Sequence, residues 1–237
     1  MPTSASAEAV QIPDGSIRLD ADLQVPTPCS GLVIFAHGSG SSRFSSRNRQ
    51  VAESLQDAGF ATLLLDLLTR AEEAVDVYTR EFRFDIGRLG RRVVAAADWA
   101  ATQPSLRQLN IGYFGASTGT AAALIAAAER PEISAAVVSR GGRPDLAGAA
   151  LPRVQAPTLL IVGGDDEPVI ELNEEAKQQM QTITRLEIVP GATHLFEEPG
   201  TLEAVERLAA DWFRQYLPGH TRRGAVELLD RVAPDEK

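Results

Sequence analysis

The chain has 237 residues, 44% of them apolar and 23% charged, the balance of one globular domain with a full core rather than a disordered or fibrous protein. Thirty-two acidic residues against 23 basic ones give a net charge of -9, which excludes a generally basic nucleic-acid-binding surface. One cysteine, Cys29, excludes an internal disulfide, so stability must come from packing.

Met1–Ala9 has neither the basic nor the apolar region of a signal peptide, and no apolar run approaches the ~20 residues of a membrane span. The expectation is a cytoplasmic protein that contacts no membrane. In chain order, residues 1–15 read as an N-terminal extension. Ser16–Val25 alternates apolar and polar residues, as an antiparallel edge strand does. Leu32–Ala36, Ala61–Leu65, Ile111–Phe114, Ala135–Val138, Thr158–Val162 and Leu186–Val189 are short apolar runs of the kind buried on both faces of a sheet. Between them the pattern predicts helices at Arg47–Ala58, Asp85–Thr102, Thr118–Glu129, Leu172–Thr182 and Leu202–Tyr216. This alternation implies right-handed crossovers and a mostly parallel α/β sheet with helices on both faces, over 16–217. Residues 218–237 form a charged tail with a short apolar patch at Ala225–Leu229.

The chemistry concentrates at strand ends. Ile111–Phe114 runs into Gly115-Ala116-Ser117-Thr118-Gly119 and then an Ala-rich helix, the strand–turn–helix context of a nucleophilic serine on a strained elbow. Ser117 needs a base, and the sequence holds only three histidines: His37, His194 and His220. His194 follows a late strand, where the base of a Ser…Asp…His order arrives. The acid that orients it belongs after Thr158–Val162, in Gly163-Gly164-Asp165-Asp166-Glu167. Asp166 is favoured, with Asp165 as the alternative. His37-Gly38-Ser39-Gly40 lets backbone approach a substrate carbonyl, so the amides of Ser39 and Thr118 are the expected oxyanion donors. His37 is expected to organise this loop.

These four motifs, in this order, resemble the α/β-hydrolase superfamily and within it the dienelactone hydrolase-like group, from about Ser16 to Tyr216. The resemblance implies the α/β-hydrolase fold and a catalytic triad. Dienelactone hydrolases proper use a cysteine nucleophile, whereas Ser117 stands at that place here, which points to a serine esterase. Thr158–Phe213 also looks like hydrolase domains fused to phosphoribosyltransferases, with no such partner domain in this chain.

About 18 residues separate the strands ending near Ser139 and starting near Thr158, room for one short helix around Asp145–Ala150 and no large cap. Asp66–Phe84 is longer than a strand–helix loop requires. Its Tyr78, Phe82 and Phe84 either overhang the site or anchor the next helix. Arg43 and Arg140, near expected site loops, are candidate ligands for an anionic substrate group. The sequence therefore reads as a serine hydrolase of small to medium esters, lactones or thioesters, needing no metal or organic cofactor. The expected partner is a small-molecule ester, and the chain a monomer or homodimer. The alternatives are a ligand-binding protein without turnover, or an acyltransferase or peptidase using the same three residues.

Overall fold

A computed structural model of the chain describes residues 7–218. The tail with its Ala225–Leu229 patch lies outside them. Eight strands form one sheet: β1 (Glu8–Asp14), β2 (Ile17–Gln24), β3 (Leu32–Ala36), β4 (Ala61–Leu65), β5 (Ile111–Ala116), β6 (Ser134–Arg140), β7 (Thr158–Gly163) and β8 (Thr184–Val189). Their spatial order is β1-β2-β4-β3-β5-β6-β7-β8. β1 and β2 are antiparallel to their neighbours, and the other six strands run parallel. Six α-helices accompany them: α1 (Ser46–Asp57), α2 (Arg70–Thr79), α3 (Ile86–Thr102), α4 (Gly119–Glu129), α5 (Glu167–Gln179) and α6 (Thr201–Tyr216).

The strands are short and apolar because helices cover both sides of the sheet. On one face α1 and α6 pack through Val51, Leu55, Val205, Ala209 and Phe213 against Val33, Phe35, Phe114 and Val138. On the other, α3, α4 and α5 pack against the alternate residues of the same strands, including Ile34, Leu63, Tyr113 and Val137. Period-two side chains of one strand thus feed two cores. α4 is buried nearly all round, and its alanines keep it slim enough to fit between β5 and α3. At that contact a Cβ on Gly90 would lie 2.7 Å from Ile125, so only glycine permits this approach of α3 to α4.

Two elements differ from the sequence reading. β1 lies inside the stretch taken as an extension and makes β2 an inner strand rather than the edge. α2 lies within Asp66–Phe84 and begins with a capping box, in which Thr69 and Glu72 each bond the other's backbone amide. The segment between β6 and β7 is a kinked 3-10 helix, Pro144–Arg153, with Gly148 breaking it at positive φ. Among the described residues, no large cap covers the sheet. None of the helices among the described residues is long and apolar enough to cross a membrane.

Candidate active site

The site lies at the carboxyl ends of the parallel strands, where an open α/β sheet leaves a crevice. Ser117 stands between β5 and α4 with φ +50°, a left-handed conformation that costs a non-glycine residue about 1–3 kcal/mol. Its backbone is held on both sides: its amide donates to Arg140 O (3.2 Å), and its carbonyl accepts from Thr120 N (3.1 Å) and Arg143 N (3.0 Å). The flanking glycines make room for the turn. A Cβ at Gly115 would overlap Thr120 backbone, and one at Gly38 would lie 3.1 Å from the Ser117 Cβ.

His194 sits in the loop between β8 and α6. Its Nδ1 is 2.7 Å from Asp166 Oδ2, a bond in which Nδ1–H donates to the carboxylate, and His194 lines the same cavity as Ser117. Asp166 caps the start of α5, yet its carboxylate makes no cap bond. It turns to His194 instead. Asp165 is exposed, and the structure records no side-chain bond for it, so geometry favours Asp166 over its neighbour. Thr193 fastens the histidine loop through its amide and hydroxyl to Glu198. Gly141 packs beneath it, where a Cβ would stand 2.9 Å from His194 O.

The loop after β3 forms the opposite wall. His37 is buried; its Nδ1 donates to Gly38 O (2.9 Å) and its Nε2 accepts from Leu67 N (3.0 Å). Burial lowers its pKa below the ordinary imidazole value, against the opposing pull of the Gly38 carbonyl and Asp66. This neutral tautomer ties the ends of β3 and β4 together. Among the described residues, the amides of Ser39 and Thr118 have no acceptor within the chain. Ser39 lines the Ser117 cavity and Thr118 directly follows Ser117, where free N–H groups suit a developing oxyanion.

The two candidate arginines diverge. Arg43 does not line the Ser117 cavity. Its guanidinium is taken by Asp66 and by Asp22 (3.2 Å), with Asp20 at 3.9 Å, and its amide donates to Asp66 (2.7 Å). The expectation that Arg43 faces substrate is therefore corrected: the acids of β2 and the end of β4 claim it. Arg140 does line the cavity and is 6% exposed. Among the described residues its side chain touches no carboxylate; its one side-chain hydrogen bond goes to Asn48 Oδ1 (3.3 Å), and its Nε has no partner. Burial, and secondarily the nearby Arg47, lower its pKa to about 10, leaving it charged at neutral pH. Asn48 and Arg47, in the first turn of α1, complete this wall. The sequence reading missed Asn48, because an asparagine early in a helix carries no signal of a distant arginine.

The Ser117 cavity measures about 280 Å³. A second, of about 650 Å³, adjoins it across Gly38–Ser45 and is walled by α2 through Glu73, Asp76 and Val77. Of the three aromatics in that segment, Phe82 packs against the core beneath Arg88, while Tyr78 and Phe84 are exposed. Among the described residues, no group of three or more His, Cys, Asp or Glu is arranged to hold a metal.

The family model for the dienelactone hydrolase family matches residues 19–217. The chain belongs to that family. A dienelactone hydrolase from Anabaena variabilis, known as a crystal structure, is 60% identical and covers 91% of this chain and 99% of its own, with a TM-score of 0.88. Est1E from Butyrivibrio proteoclasticus, at 19% identity and TM-score 0.71 over 88% of this chain and all of its own, shares the fold. A Mycobacterium tuberculosis protein named "Putative phosphoribosyl transferase" is 56% identical over 212 residues, 90% of this chain and 47% of its own length. The chain thus spans about half the length of that relative.

Proposed function

We propose that this family member is a serine hydrolase that cleaves carboxylic esters, lactones or thioesters of small to medium acids through an acyl-enzyme. The observation that carries the reading is the 2.7 Å bond from His194 Nδ1 to Asp166, made by a histidine that shares one cavity with a serine at φ +50°. Ser117 Oγ attacks the carbonyl carbon while His194 Nε2 takes its proton. The amides of Ser39 and Thr118 donate to the oxyanion. His194 then protonates the departing alcohol or thiol, and a water activated by the same nitrogen releases the acid. Asp166 holds the ring tautomer and stabilises the imidazolium.

The relationship to the Anabaena dienelactone hydrolase supports ester or lactone substrates. The small cavity suits a short acyl part and the adjoining larger one a bulkier partner, with no cofactor in the scheme. The test is hydrolysis of p-nitrophenyl acetate, butyrate and octanoate by wild type and Ser117→Ala, with fluorophosphonate labelling of each. Short-chain turnover and labelling that both vanish in the variant support the reading. A Ser117→Ala protein that keeps its turnover overturns it, and a wild type that neither turns over nor labels points to a binding protein.

A further inference from the structure

The Ser117 cavity has a cationic wall that ester hydrolysis does not require. Arg140, nearly buried, lines this space with a guanidinium that has no carboxylate partner, and its inaccessible Nε has no hydrogen-bond partner. Leaving a buried charged donor unmet costs more than an ordinary hydrogen bond returns, and this guanidinium, held by one amide oxygen, stands beside the cavity without a counter-ion. Arg47 lines the same cavity, and its Nε is likewise buried without a partner. Glu197 meets only one of its terminal nitrogens, at 2.8 Å, from a largely exposed position.

The rest of the wall agrees. The first turn of α1, a helix of 12 residues, carries no acid although acids are favoured there. Its first turn lines the cavity with Arg47 and Asn48 beside Ser45, whose hydroxyl takes the Asn48 amide, and Ser39 and Ser41 line it too. None of the residues lining the cavity is acidic. One carboxylate would satisfy one guanidinium. Two guanidiniums around one cavity, beside a helix start and serine residues, fit a tetrahedral dianion.

We propose that Arg140 and Arg47 bind a phosphate or phosphonate group of the substrate, so that the ester cleaved carries this dianion a few bonds from its scissile carbonyl. A cavity of about 280 Å³ holds the anion, the carbonyl and a short spacer. The anion is an anchor and is not transferred; the bond broken is still the acyl–oxygen bond attacked by Ser117. This step rests on the serine-hydrolase reading, whereas the anion subsite does not.

The subsite is tested by calorimetry of Ser117→Ala protein with inorganic phosphate at about pH 8, where phosphate is dianionic, and with acetate. The expectation is phosphate binding that weakens at least ~10-fold on adding Arg140→Gln or Arg47→Gln. Arg47 is partly exposed, so its variant carries the test if Arg140→Gln fails to fold. Phosphate that does not bind, binds equally well after both replacements, or binds no better than acetate overturns the proposal. In wild type, kcat/KM for p-nitrophenyl phosphonoacetate is expected to exceed that for p-nitrophenyl acetate by at least ~10-fold, an advantage lost in Arg47→Gln. Equal rates overturn the substrate assignment. Phosphate binding with no turnover of either ester would instead count against the hydrolase reading alone.

Discussion

Gly119 faces the carbonyl of His37 so closely that a Cβ at residue 119 would stand 2.5 Å from that oxygen, and nearer still to that of Ala36. The start of α4 therefore rests directly on the end of β3, and the Ser117 turn and the Gly38–Ser41 loop share one backbone contact. Gly119→Ala must push them apart. Overpacking of this kind costs about 1–3 kcal/mol, and the displacement acts on the proposed nucleophile and oxyanion donors together. The expected result is a lower melting temperature with loss of fluorophosphonate labelling. Labelling at the wild-type rate would show that the two loops are not coupled.

Removing the nucleophile should be catalytically severe and structurally mild. Ser117→Ala is expected to lower kcat by roughly 10³–10⁶-fold, because the proposed nucleophile is lost and only binding and the oxyanion donors remain. Alanine keeps the left-handed backbone strain, so the melting temperature should move by only a few degrees. Thermal melts alongside p-nitrophenyl acetate assays separate the two effects.

The two adjacent aspartates should behave oppositely. Asp166→Asn is expected to reduce kcat by about 10³–10⁴-fold, since an amide no longer holds the Nδ1–H tautomer of His194 or stabilises its cation. Asp165→Asn, at an exposed carboxylate, should change kcat less than twofold. Steady-state kinetics of the pair decides, and the reverse pattern would transfer the acid's role to Asp165.

Stability should fall on acidification in two stages. His37 has its pKa lowered by burial, so its contribution is complete above the unfolded value of about 6.5 and is lost as pH falls through the folded value. Below 6.5 the unfolded chain takes up a proton that the folded one resists. Burial alone would raise the Glu72 pKa, but its hydrogen bonds with Arg92 and Thr69 outweigh that and hold it at about 2. Its contribution is present above about 4.5 and is lost from there down toward pH 2. Denaturant melts across this range should show the lower stage shrink in Glu72→Gln.

The elements that hold the site were readable because each carries a local signature. β3 and β4 are apolar blocks bounded by turns, and Gly115–Gly119 follows an apolar strand directly and opens an Ala-rich helix. β1 escaped notice because Glu8–Asp14 is mostly exposed and shows no clean alternation. α2 buries only Asp76, so it has no apolar stripe; its signal was the Thr69–Glu72 capping box. Arg43 and Arg140 both lie near strand ends, and nothing local separates them. What parts them is tertiary: Asp20, Asp22 and Asp66 converge on Arg43, whereas only Asn48 reaches Arg140.

That capture of Arg43 moors the loop after β3 to the opening strands of the chain. Asp20 and Asp22 come from β2, which β1 flanks from Ile17 to Leu23, while Arg43 follows the Ser39 amide by four residues. The antiparallel ribbon thus works as a guy-line on one wall of the Ser117 cavity. Trimming it would slacken that wall and cost turnover out of proportion to the stability lost.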